Sequence, residues 1–129
     1  TYAGYSSKYD RHVYMTNEGR LVFGTWSAGS PKVVTSAASY NDNAWHHVVA
    51  TQGPGGMVLY VDGVQVASNT VSVNESSIGS WRIAGDSLSA NWPSTPASRH
   101  FSGSIDEFAV YPTALSPAKV ANHNQIGRR

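Results

Sequence analysis

The sequence predicts an all-β protein, a two-sheet antiparallel β-sandwich with one short C-terminal helix. Three observations lead there. Aromatic residues make up 11% of the chain and much of the rest is Ser, Gly, Thr and Val, a mixture that suits strands and turns better than long helices. Short β-prone runs recur between strong turn signals, which implies antiparallel hairpins. Only one segment, near the C-terminus, is written as a helix. With 129 residues there is room for one core and not two, so 1–129 reads as a single domain.

The first two strands fall at 12–16 and 20–26, around Asn17-Glu18-Gly19 with Gly in the positive-φ position. A polar turn, Asn41-Asp42-Asn43, precedes a strand over 45–51, and Gly53-Pro54-Gly55-Gly56 reverses the chain into 57–61. Asp62-Gly63 is the strongest turn signal, because a type I′ turn needs positive φ at both central residues. Period 2 turns Met57, Leu59 and Val61 to one face, joined across the turn by Val64 and Val66 as core. Further strands are expected at 81–85 and within 101–111, where Ile105, Phe108 and Val110 are apolar, separated by a loop over 86–100 rich in Ser, Pro and Asn. The total is about seven or eight short strands. The helix runs over 117–126, with Ser116 as N-cap, Pro117 in the first turn, Leu115 and Val120 as a hydrophobic staple, and Gly127 as the stop.

Charge and cysteine content narrow the function. Nine Lys+Arg against eight Asp+Glu give a formal charge of +1, which offers no field to gather nucleic acid or an anionic membrane. No apolar run approaches the roughly 20 residues of a membrane helix, so membrane insertion is not expected, and the first residues lack a signal-peptide pattern. The absence of cysteine removes disulfides, zinc knuckles and thiol nucleophiles.

Five motifs in order suggest a family: Trp45-His46-His47-Val48-Val49-Ala50, Leu59-Tyr60-Val61-Asp62-Gly63, Trp81-Arg82-Ile83-Ala84-Gly85, Phe101-Ser102-Gly103-Ser104-Ile105-Asp106-Glu107, and Tyr111-Pro112-Thr113-Ala114-Leu115-Ser116. Over roughly residues 9–126 the chain resembles the laminin G-like jelly roll of the concanavalin A-like lectin/glucanase class, in its bacterial form. The resemblance implies an extracellular or cell-surface binding or adhesion module, part of a larger secreted or surface protein. It also implies strands upstream of Tyr9, so the domain is expected to be N-terminally incomplete, its missing strands supplied by another copy or by a separate N-terminal segment.

The chemistry-bearing residues favour binding over catalysis. Asp106 and Glu107 are consecutive and point to opposite faces, so they do not flank one glycosidic bond, and the Glu-x-Asp-x-x-Glu pattern of glucanase relatives is missing. Asp106 is expected to bond turn backbone and Glu107 to face solvent. His46 and His47 are separated the same way, one buried and hydrogen-bonded and one exposed, with no metal-ligand spacing. No enzyme motif is present. Relatives of the resembled family often hold Ca2+ at the rim, which marks Asp86 as a candidate metal ligand, with Asn91 nearby. Glycan recognition needs an aromatic platform and polar neighbours, and the candidates are Trp92 with Asn91, then Trp26 and Tyr40. Trp92 has a second reading, as a lid folded over the sandwich. Trp45 and Trp81, inside strand motifs, are expected in the core. Asn74-Glu75-Ser76 matches a glycosylation sequon. The expected function is a non-catalytic carbohydrate-binding or adhesion module, and the alternative is a structural or protein-interaction domain that assembles by strand completion.

Overall fold

The computed structural model describes residues 10–76, 79–85 and 87–128. Its element order is β1 (His12–Met15), β2 (Arg20–Ser27), β3 (Ser30–Ser39), β4 (Val48–Gly53), β5 (Gly56–Val61), β6 (Val64–Asn69) and α1 (Pro117–Gly127). The strands form two antiparallel three-stranded meanders, β1-β2-β3 and β4-β5-β6. Leu21, Phe23 and Val34 of the first sheet meet Met57, Leu59 and Val61 of the second in one buried cluster, as expected of two sheets packed face to face.

The turns form where local chemistry calls for them. Gly19 sits at φ 82°, and its amide donates to the Thr16 carbonyl at 3.0 Å. Asp62 and Gly63 have φ 53° and 81°, the pair of positive values that a type I′ hairpin demands. At α1 the Ser116 hydroxyl accepts from the Lys119 amide at 3.3 Å, Pro117 follows it, and Val120 is fully buried.

The structure departs from the sequence expectations in four places. β3 carries little strand signal, since Pro31 and its Ser and Ala residues weaken it, yet Pro31 lies beside the turn, where a missing amide costs the ladder little. Val64 is 64% exposed, because it lies at the turn end of an edge strand. A bulge between Leu59 and Tyr60 then pairs Leu59 with Ala67, and Val66 packs half-buried on the core. The runs at 81–85 and 101–111 are not strands, so among the described residues there are six strands and not seven or eight. Ala84 and Glu107 adopt φ 67° and 51°, which breaks the extended backbone in both runs, and the only pairing there among the described residues is the bridge between Gly85 and His100. Trp45 and Trp81 are consequently outside the core, at 70% and 56% exposure.

Candidate functional site

The aromatic and polar candidates gather in two places. The first is the rim loop over 40–47, which joins the two sheets between β3 and β4. Its start is fixed by the Tyr40 amide donating to the Gly19 carbonyl at 2.8 Å. Its tip is tightened by Asp42, whose Oδ1 accepts from the Ala44 amide at 3.0 Å while Asn43 turns through φ 64°. Its end is held by His46, whose Nδ1 lies 2.8 Å from Asp62 Oδ2 and whose Nε2 lies 3.0 Å from Asp42 Oδ1. The Tyr40 and His46 rings meet in a T-shaped arrangement with their centroids 5.0 Å apart.

Those contacts set the protonation states. The hydrogen bond to Asp62, aided by Asp42 and opposed by partial burial, holds His46 above the usual histidine range. Burial pushes Asp62 up, but the bonds from His46 and from the His47 amide, with the charges of His46 and Arg128, outweigh it and leave the carboxyl below its usual range. Asp42 is lowered by the Ala44 amide and then by His46. With both ring nitrogens bonded to carboxylates, His46 has neither nitrogen free for a metal or for proton abstraction. Its role is to brace the loop against the β5–β6 turn. The same turn seats α1: Asn124 Nδ2 donates to the Asp62 carbonyl at 2.9 Å, and Arg128 Nη2 lies 3.4 Å from Asp62 Oδ1.

His47 differs from its neighbour. Burial, then the charge of His123, holds it below the usual range, and its Nδ1 is buried without a hydrogen-bond partner. Neither histidine is fully exposed, so the expected split between one buried and one exposed ring is replaced by two half-buried rings with different partners.

The second place is the loop over 87–100, which folds onto the outer face of the first sheet. Alternation along β2 turns Leu21 and Phe23 inward and Val22, Gly24 and Trp26 outward, and Trp92 covers that outward face. Trp92 is 3% exposed, with its ring 4.7 Å from His12 and 6.0 Å from Trp26, both edge-on. The loop is strapped down by the Tyr14 hydroxyl donating to the Pro93 carbonyl at 2.6 Å, by the Ala97 amide donating to Asn17 Oδ1 at 2.9 Å, and by Arg99 Nε donating to the Leu88 carbonyl at 2.6 Å. Burial pushes the Tyr14 phenol up to about 12. Trp92 therefore stands as a lid with its ring faces covered, and Trp26 is half-buried beneath it, while Asn91 is exposed at the loop surface.

A sequence profile described as the concanavalin A-like lectin/glucanases superfamily, laminin G type, matches residues 2–121. The chain belongs to this superfamily. Among solved structures, this laminin G-like domain is similar to an S-layer domain-containing protein from Clostridium thermocellum, with a TM-score of 0.53 and 18% identity over 96% of this chain and 67% of that one. At that identity the likeness speaks for the fold alone. No curated protein matches the chain.

Within the laminin G-like domain, Asp86 lies outside the described residues. Positions 87–100, which follow it in the sequence, carry hydroxyls, Asn91, Arg99 and His100 but no acidic residue. Among the described residues no group of three His, Cys, Asp or Glu is placed to hold a metal. Asp106 Oδ1 accepts from the Glu107 amide at 2.8 Å, and both residues are exposed. No helix among the described residues is long and apolar enough to cross a membrane. The residue that sequence reasoning passes over is Asp62, 16 positions from His46: the Asp-Gly signal marks its turn but not its partner.

Proposed function

We propose that this domain is a non-catalytic extracellular carbohydrate-binding or adhesion module of a larger secreted or cell-surface protein. The observation that supports it most is superfamily membership across residues 2–121, and the S-layer protein of similar fold is consistent with a surface setting. The bracing of the rim loop adds physical support, since a preorganised loop loses less of its binding free energy to ordering. Exposed Asn91 and half-buried Tyr40 are the remaining sequence candidates positioned near solvent, and Trp92 and Trp26 would contribute only after the lid opened. The test is binding of the purified chain to a broad glycan array and to isolated cell-wall polysaccharide. Retention on at least one glycan class supports the reading, and its absence from all of them removes the carbohydrate half.

A specific observation favours a second reading, a protein-interaction domain completed by a partner strand. Phe101, Ile105, Phe108, Val110 and Tyr111 are all exposed, and among the described residues positions 102–111 make no backbone hydrogen bond to another backbone group. Apolar side chains along an unpaired backbone are what an added strand covers. Light scattering behind a sizing column separates the cases: a concentration-dependent dimer supports completion by a second copy, and a monomer near 13.8 kDa at all concentrations argues against it.

A further inference from the structure

Among the large apolar side chains of the described residues, Trp45 is the most exposed, at 70%. It makes none of the aromatic contacts that hold Trp92, Trp26 and Tyr40. Leaving an indole in water is unfavourable, and the packing of this fold gains nothing from it there.

Its backbone, by contrast, is fixed on both sides. Immediately before it, the Ala44 amide is bonded to Asp42 Oδ1 at 3.0 Å, and immediately after it the His46 ring is bonded to Asp42 and Asp62. One residue further, the His47 amide donates to Asp62 Oδ1 at 3.1 Å and its carbonyl accepts from the Asp62 amide at 2.8 Å. An exposed aromatic on an immobilised loop is a preorganised contact surface, and Trp has only two side-chain torsions left to order.

The neighbouring chemistry identifies the ligand class. Asn41, Asp42 and Asn43 are exposed on the same loop, and Asp42 uses only Oδ1 in its internal bonds, which leaves Oδ2 able to accept from a hydroxyl. An exposed indole on the same short loop as exposed amides and a carboxylate suits the apolar face and hydroxyl rim of a sugar ring. A negative charge at Asp42 disfavours acidic sugars and phosphates. A protein partner would call for a broader apolar patch than one ring flanked by Asn and Asp.

We propose that the rim loop over 40–47 is a binding site for neutral saccharides, with Trp45 as the stacking platform and Asn43 and Asp42 Oδ2 as hydroxyl partners. This rests on the carbohydrate-binding reading and places it at a residue that the sequence assigns to the core.

The experiment is affinity electrophoresis of the whole chain and its variants through gels containing soluble β-glucan, xylan, galactomannan or starch, with thermal melts run alongside. The wild type is expected to be retarded by at least one polysaccharide. Trp45→Ala should lose at least tenfold in affinity at unchanged melting temperature, while Trp45→Tyr, which keeps a stacking ring, should retain most of it. Wild-type retardation that survives Trp45→Ala overturns this site while leaving the carbohydrate-binding reading intact. Loss of affinity in Trp45→Ala that comes with a lowered melting temperature and is not restored by Trp45→Tyr also overturns it, because the ring would then be structural. No retardation of the wild type by any of the four overturns the neutral-saccharide site, and the glycan array then decides whether the carbohydrate-binding reading stands.

Discussion

His46 exchanges protons while held between two carboxylates, so its contribution to stability depends on pH in a definite direction. Its folded pKa lies above the unfolded value of about 6.5. The stabilisation is therefore fully present below about pH 6.5 and is lost as pH rises through the raised folded value. Asp42 and Asp62 are lowered, so their stabilisation is present above about pH 4 and is lost as pH falls through their folded values. A melting-temperature profile should combine an acid fall from the carboxylates and an alkaline fall from His46. The lowered His47 adds a loss of stability as pH drops below about 6.5 through its folded value. His46→Gln should remove the alkaline fall specific to the wild type. An unchanged alkaline limb in that variant would mean that the brace does not govern it. Ser36 secures a second buried junction. Its fully buried hydroxyl accepts from the Leu21 amide at 2.9 Å and donates to the Ala38 carbonyl at 2.7 Å, where the β2–β3 register shifts and the ladder alone leaves these groups unmatched. Ser36→Ala should cost about 1–3 kcal/mol in denaturant unfolding, because a buried amide loses its partner; a change within error would imply that the bulge closes on itself.

At the level of elements, the lid and the strand beneath it are shaped for each other. A methyl group on Gly24 would lie 2.5 Å from the Trp92 ring and 3.0 Å from Val33, so this glycine marks the seat of the lid. Trp92→Ala should cost about 3–5 kcal/mol, the usual range for emptying a buried aromatic site. Gly24→Ala should release the 87–100 loop to proteolysis while the sheets persist. If Trp92→Ala melts like the wild type, the lid contributes nothing to the fold. Elements written by local chemistry are legible in the sequence: the Asp62-Gly63 turn, the capped helix, and the alternation of Met57, Leu59 and Val61. Elements that depend on a partner are not. The runs at 81–85 and 101–111 carry the composition of strands, but strand formation needs an edge to pair with, and left-handed Ala84 and Glu107 interrupt both. The His46 brace escapes for a related reason, since it joins side chains from separate turns. Trp45 sits in a motif that reads as a strand, yet β4 begins only at Val48 and leaves the indole outside the sandwich.

For the molecule as a whole, stability is concentrated in the two meanders, and hydrogen exchange should map that distribution. β2 and β5 are the central strands, each bonded on both sides, and each supplies two or more side chains to the shared core. Their amides should open only by global unfolding. Amides over 102–111 have no backbone partner among the described residues and should exchange near the unprotected rate in dilute solution. The two functional readings diverge at those amides. If a second copy supplies a strand, protection over 102–111 should rise with concentration in step with dimer mass, and the exposed Phe108 and Val110 should become buried together with it. If the domain acts alone on saccharides, exchange over 102–111 should not change with concentration, and a bound polysaccharide should slow exchange at the rim loop over 40–47. Protection of 102–111 in a strictly monomeric sample would contradict completion by a second copy, because these residues would then pair within their own chain.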